Sequence, residues 1–186
     1  MGNYALPEIG YLKDNAWVFT EKIDGTNIRI HWDGVKVTIG GRTKDAQIPT
    51  FLFDVLTQIF TIEKMSNVFE VNPITLYGEG YGPKIQKGGR YTDTPSFILF
   101  DALVGSWWLK RDALEGIAVN LGISIVPIVL TGTINQAIEY VQSNPKSTIA
   151  LDKTYEMEGL VGVPSVQLFD RRGDRIITKI KAKDFK

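Results

Sequence analysis

The chain has 186 residues, 44% of them hydrophobic and 23% charged, with 21 Lys and Arg balanced by 21 Asp and Glu. That is the length and make-up of one folded globular domain, not of a disordered or fibrous chain. The lack of cysteine excludes disulfides, thiolate metal sites and a cysteine nucleophile, and the single histidine, His31, excludes a multi-histidine metal centre. No apolar run reaches membrane-spanning length, and Asn3, Glu8 and Lys13 near the start are unlike a signal peptide, so the expected location is the cytoplasm, with no membrane partner. Charge is unevenly placed: residues 171–186 hold 7 Lys or Arg against 2 Asp or Glu, whereas residues 1–170 hold 14 against 19. A neutral total thus conceals a basic C-terminal segment that suits a polyanion.

In chain order, the first strong element is a hairpin. Ile28, Ile30 and Trp32 alternate with Arg29 and His31, Asp33-Gly34 reads as a two-residue turn, and Val35, Val37 and Ile39 form the return strand. Pro49 suits the first position of a helix over 49–60, with Leu52, Val55, Leu56 and Ile59 on one face. A short strand over 74–77 precedes a glycine-rich stretch from Gly78 to Gly89, and a buried strand over 97–100 ends at Asp101. Ala113, Leu114, Ile117, Ala118 and Leu121 predict a second helix closed by Gly122, followed by a strand over 123–130. Thr133 and Gln136 form a capping box for a third helix, which Pro145 ends. The remainder reads as strands over 160–163, 166–169 and 175–183, the last with Ile177, Lys179, Lys181 and Lys183 on one face. Without regular strand–helix alternation, the fold class is α+β: antiparallel sheets with a few flanking helices.

Five segments carry residues suited to chemistry. The first, residues 20–27, places Lys22 beside Glu21 and Asp24 before a glycine. A lysine is nucleophilic only once its ammonium loses a proton, which neighbouring carboxylates oppose unless a metal ion offsets them. The second, Tyr77-Gly78-Glu79-Gly80, could offer Glu79 to ribose hydroxyls, and it lacks the spacing of a Walker phosphate loop. In the third, Phe100 of Phe97-Ile98-Leu99-Phe100-Asp101 stacks on a base only if it faces a cavity; otherwise it is core. The fourth, Glu156-Met157-Glu158-Gly159, puts Glu158 where a hard cation could bind through oxygen, or where a glutamate is simply solvated in a turn. The fifth is the lysine stripe, which either meets a polyphosphate or protects an edge strand.

Taken in order, these segments resemble the nucleotidyltransferase motifs of the covalent polynucleotide ligase and mRNA capping enzyme superfamily. Within it they are most similar to ATP-dependent RNA ligases of the phage double-strand RNA ligase group, and Gly82-Pro83-Lys84-Ile85-Gln86-Lys87 adds to that likeness. The resemblance spans residues 21–185. It implies a nucleotidyltransferase (adenylation) domain with antiparallel sheets and helices around an ATP cleft. Related ligases add a C-terminal domain, and because the lysine stripe lies so near residue 186 the expectation here departs from them: a single domain over 1–186 and no C-terminal accessory domain.

The resemblance also implies roles. Lys22 would receive AMP as a phosphoramidate, and Lys179 and Lys181 would assist at the phosphates. Glu21, Asp24, Asn27, Arg42, Glu79, Phe100, Glu158, Lys179 and Lys181 would bind the nucleotide: Glu21 at a position that helps recognise adenine, Phe100 stacked on the base, Glu79 at the ribose. Glu158 and Glu79 would serve a magnesium or manganese ion. The implied partners are ATP and RNA with 5′-phosphate and 3′-hydroxyl ends, in a nicked duplex, with an accessory domain or protein in trans for sealing. His31 and the pair Trp107-Trp108 match no motif; His31 reads as a surface strand residue. The alternatives are a minimal ATP-dependent DNA ligase, a capping-type guanylyltransferase, or a non-catalytic nucleic-acid-binding domain.

Overall fold

A computed structural model describes residues 6–185; Asn3 and Lys186, which enter the arguments above, lie outside it. The strands in chain order are β1 (Trp17–Glu21), β2 (Thr26–Trp32), β3 (Val37–Gly41), β4 (Ile74–Tyr81), β5 (Ser96–Val104), β6 (Trp107–Trp108), β7 (Ser124–Ile125), β8 (Ile128–Gly132), β9 (Gly159–Pro164) and β10 (Thr178–Lys181). The helices are α1 (Pro7–Tyr11), α2 (Thr50–Ile59), α3 (Ile62–Phe69), α4 (Arg111–Leu121) and α5 (Ile134–Gln142). Antiparallel pairing dominates, and β7 alone among the described strands pairs parallel, with β5. The α+β expectation therefore holds. No helix among the described residues is long and apolar enough to cross a membrane.

The chain divides into two compact units, residues 1–22 with 127–186, and residues 23–126. In the first, the sheet order is β10-β9-β1-β8. Trp17 and Phe19 of β1, Leu160 of β9 and Ile180 of β10 form a core with Ile134, Ala137 and Val141 of α5. These α5 residues recur at helical spacing, so one face of the helix is apolar. The expected capping box closes its start: Gln136 N–H donates to Thr133 Oγ1, and Thr133 N–H donates to Gln136 Oε1 at 2.8 Å.

In the second unit the order is β3-β2-β4-β5-β6. Ile28, Ile30 and Trp32 alternate inward and pack with Leu52 and Leu56 of α2, Met65 of α3, and Leu114, Ala118 and Leu121 of α4. Truncating one of these fully buried leucines to alanine removes about 2–5 kcal/mol of stability.

Several boundaries differ from the sequence reading, each for a packing reason. The strand expected to stop at Tyr77 runs on through Gly78 and Gly80 to Tyr81. A Cβ at Gly78 would lie 2.2 Å from the Phe97 ring, and one at Gly80 2.7 Å from Leu52, so both glycines belong to a strand with neighbours pressed onto it. The hairpin pairs Trp32 with Val37, leaving four connecting residues instead of two; Asp33 Oδ1 accepts from the Val35 and Lys36 N–H groups. Pro49 caps α2 from outside instead of opening it.

The strand expected over 123–130 is two strands. β7 lies in the second unit and β8 in the first, with the boundary at Val126 and Pro127. Expected strands over 166–169 and 175–183 reduce to a Phe169–Arg175 bridge and β10, and Lys183 falls in a 3₁₀ turn over Ala182–Phe185. The lysine stripe on the strand is thus Lys179 and Lys181. Helices α1 and α3 were not anticipated.

Candidate active site

Each unit carries a cluster of the sequence-predicted residues. In the first unit, Lys22 directly follows β1 and extends its pairing with β9: Lys22 N–H donates to Gly159 O at 2.9 Å. Strand alternation sets Glu21 on the core face and Lys22 on the other, the face of Thr20. The register pairs Glu21 with Leu160, Leu160 with Ile180, Val161 with Lys179, and Gly159 with Lys181. Lys179 and Lys181 therefore flank the inward Ile180 and lie on the same face as Lys22. Lys179 is exposed and Lys181 half-buried.

The Lys22 Nζ donates to Glu158 Oε2 at 2.6 Å, with the two side chains 19% and 28% exposed. Partial exposure leaves this pair a modest contributor to stability, yet one open to a ligand. Glu158 is positioned by its own backbone, whose carbonyl accepts from Ala182 N–H at 2.9 Å. Gly159 has φ +151, and a Cβ there would meet Ile180 O at 2.2 Å. Glycine at this position is what lets β9 and β10 close beside Glu158.

Glu21 is 1% exposed. Its carboxylate accepts from Ser147 Oγ, from Thr148 N–H at 2.9 Å and from Thr148 Oγ1 at 2.6 Å. A buried carboxylate requires such donors. Sequence reasoning did not single out Ser147 or Thr148, because nothing in a Ser-Thr pair before Ile149 signals that it caps a distant glutamate.

In the second unit, the sheet face away from the helices carries the other cluster. Asn27 of β2 stands opposite Glu79 of β4, which stands opposite Ile98 of β5. Next along, Arg29 stands opposite Tyr77 and Tyr77 opposite Asp101. Because Tyr77 pairs with Asp101 and Gly78 with Leu99, Phe100 has no opposite residue and forms a bulge. The bulge shifts the inward alternation from Phe97 and Leu99 to Ala102. Phe100 is left partly exposed and outside the core cluster, whereas Phe97, Ile98 and Leu99 are buried.

Asp24 lies between the units' first crossing and β2, where its N–H donates to the Tyr91 hydroxyl at 3.3 Å. Gly25 must be glycine: a Cβ would sit 2.4 Å from Gly80 O and 2.8 Å from Glu79 Cγ. Arg42 follows β3 and is exposed, near Gly41, whose carbonyl accepts from Arg29 Nε at 2.7 Å. His31 is exposed on its strand and shares a 2.9 Å hydrogen bond with Thr75. Trp107 is exposed and Trp108 half-buried, tilted against Tyr77 at 5.2 Å.

Among the described residues, no group of three or more His, Asp or Glu side chains is gathered to hold a metal ion. A full protein cage is therefore not what the donors provide. One carboxylate such as Glu158, 28% exposed, matches the way a magnesium ion is held by one or two carboxylates together with phosphate oxygens.

A family model described as RNA ligase matches residues 15–181, most of the chain and every sequence-predicted site residue. The chain belongs to the RNA ligase family. No curated protein sequence matches it. Solved structures of Naegleria gruberi RNA ligase share the fold. A lysine-to-alanine variant with ATP and Mn superimposes with a TM-score of 0.72 at 18% identity, over 96% of this chain and 52% of that one. The form with PPi gives 0.71 at 20%, over 96% and 53%. A lysine-to-methionine variant with AMP and Mn gives 0.71 at 18%, over 96% and 53%. The chain thus spans about half the length of the Naegleria ligase chains that it matches.

Proposed function

We propose that this RNA ligase family member is an ATP-dependent RNA ligase that works through a lysyl-AMP on Lys22. The observation that carries the reading is the Lys22–Glu158 pair, 2.6 Å apart on the sheet face shared with Lys179 and Lys181. The amine, a carboxylate and two phosphate-binding cations are the groups that nucleotidyl transfer to lysine requires. ATP and PPi, with which Naegleria RNA ligase has been solved, are the substrate and leaving group of such a step, and AMP, also found with it, is the group released on sealing; these complexes support the same reading.

Lys22 Nζ attacks the α-phosphorus, a nitrogen–phosphorus bond forms, and the bond to the bridging oxygen of pyrophosphate breaks. The amine must first lose a proton, and Glu158 Oε2 is an acceptor in reach. Lys179 and Lys181 neutralise charge on the phosphate oxygens and on departing pyrophosphate. Asn27 and Glu79 share one sheet face of the second unit and are assigned to the nucleoside, as is Phe100 through its bulged, partly exposed ring. Asp24 and Arg42 complete the nucleotide-binding set. Glu21 is assigned to the nucleotide through its place beside Lys22, its carboxylate being turned to the core side. A magnesium or manganese ion would be held by Glu158 and would supply further neutralisation of the triphosphate; Glu79 is the other carboxylate proposed as a metal ligand.

The enzyme-bound AMP then passes to a 5′-phosphate end of RNA in a nicked duplex, and a 3′-hydroxyl displaces AMP to seal the strand, with an accessory domain or partner protein aiding this second half. Incubation with α-labelled ATP and magnesium, followed by denaturation, tests the first step. Label retained by the wild-type protein and lost in Lys22→Ala is expected; an unlabelled wild-type protein overturns the reading. GTP in parallel tests the base, and nicked RNA, DNA and hybrid duplexes test the strand.

A further inference from the structure

The reading of Lys22 as nucleophile does not account for the burial of the Glu21 carboxylate. A carboxylate buried directly before the nucleophile is an expensive choice, since a well-packed apolar side chain at such a position is often as stable or more so. Its contacts indicate what it provides. All three donors, Ser147 Oγ, Thr148 N–H and Thr148 Oγ1, come from one loop.

That loop is closed on itself. Met157 N–H donates to Pro145 O at 2.8 Å, the backbones of Lys146 and Glu156 form an antiparallel β-bridge, and Ser147 N–H donates to Tyr155 O at 2.9 Å. Ser147 Oγ also accepts from Ala150 N–H at 3.0 Å, so the hydroxyl that holds Glu21 is itself fixed. The loop then leads through Met157 into Glu158 and Gly159, the two residues that contact the Lys22 side chain and backbone. One rigid loop thus grips the residue before the nucleophile and delivers the nucleophile's partner.

We propose that Ser147 and Thr148 are positioning residues for the adenylation step: by clamping the Glu21 carboxylate they fix the register of Lys22 against Glu158. This rests on the reading of Lys22 given above. The clamp acts on geometry and not on nucleotide affinity, so its loss lowers the rate at saturating ATP. A misplacement of about 1 Å at a reacting group is enough to cost on the order of a hundredfold in rate.

Thr148 gives the discriminating test, because the residue is exposed and its hydroxyl is the only group removed by Thr148→Val. Single-turnover formation of lysyl-AMP is measured against ATP concentration for wild type, Thr148→Val and Thr148→Ser. The clamp predicts that Thr148→Val loses about tenfold or more in maximal rate. Half-saturating ATP should stay within about twofold, and Thr148→Ser should recover most of the rate. A Thr148→Val rate within twofold of wild type, a change confined to ATP saturation, or a loss that serine does not restore overturns the proposal.

If the wild-type protein takes no label, the proposed function fails instead. Amide hydrogen exchange at Lys22, whose N–H bonds Gly159 O, then decides the clamp: faster exchange in Thr148→Val supports it, and equal protection overturns it.

Discussion

Replacing Gly159 by alanine perturbs the strand pair that carries the lysines. A Cβ there would lie 2.2 Å from Ile180 O and 2.8 Å from Lys181 Cα, both backbone atoms of β10. The first is more than about 1 Å inside ordinary van der Waals contact, and no side-chain rotation relieves either. The φ of +151 adds a backbone cost of about 1–3 kcal/mol for any residue with a Cβ. Prising β10 from β9 forfeits one or two cross-strand hydrogen bonds at about 1 kcal/mol each. The sum is about 3 kcal/mol. With a urea slope of about 2 kcal/mol/M, the unfolding midpoint falls by about 1.5 M. The assay is urea titration followed by tryptophan fluorescence, Trp17 being fully buried in the same unit. Lysyl-AMP formation measured in parallel should fall by about a hundredfold, because Lys22 bonds the same glycine and Lys181 pairs with it. A midpoint within about 0.3 M of wild type, with labelling unchanged, would refute the steric argument.

Gly78→Ala is expected to destabilise the second unit by about 2–3 kcal/mol, since the new methyl meets the Phe97 ring at 2.2 Å and Ile98 O at 2.5 Å; thermal unfolding reads it, and an unchanged midpoint counts against the packing account. Glu158→Gln keeps the side chain's shape and removes its charge, and should slow lysine adenylation by about tenfold to a hundredfold while the fold is retained by circular dichroism. The Asp174 N–H, followed by the Arg172 N–H and guanidinium, holds the Asp170 carboxyl below the usual aspartate value. Its contribution to stability is therefore present above that usual value and is lost as pH falls through the lowered one. An NMR titration should place the Asp170 midpoint below that of an unstructured aspartate, and Asp170→Asn should abolish this acid limb.

Alternation and capping were legible because they are local. Ile28, Ile30 and Trp32 on one strand face, and the Thr133–Gln136 box, declare themselves within a few residues. The order of motifs from Glu21 to Lys181 was legible too, and the family match covers it. What escaped was set by distant packing. Gly78 and Gly80 look like loop residues until the Phe97 ring and Leu52 are known to press on them. The run over 123–130 reads as one strand because its apolar pattern is continuous, although its halves serve different units. The bulge at Phe100 depends on the register of β4 against β5, and the donors to Glu21 stand 126 and 127 residues away in sequence.

The central claim is that one amine, Lys22 Nζ, carries the nucleotide. Protein incubated with ATP and magnesium, digested and analysed by tandem mass spectrometry, should show AMP on the peptide containing Lys22, with the fragment ions assigning it to that residue. An unmodified Lys22, or AMP carried by Lys179 or Lys181, would contradict the account.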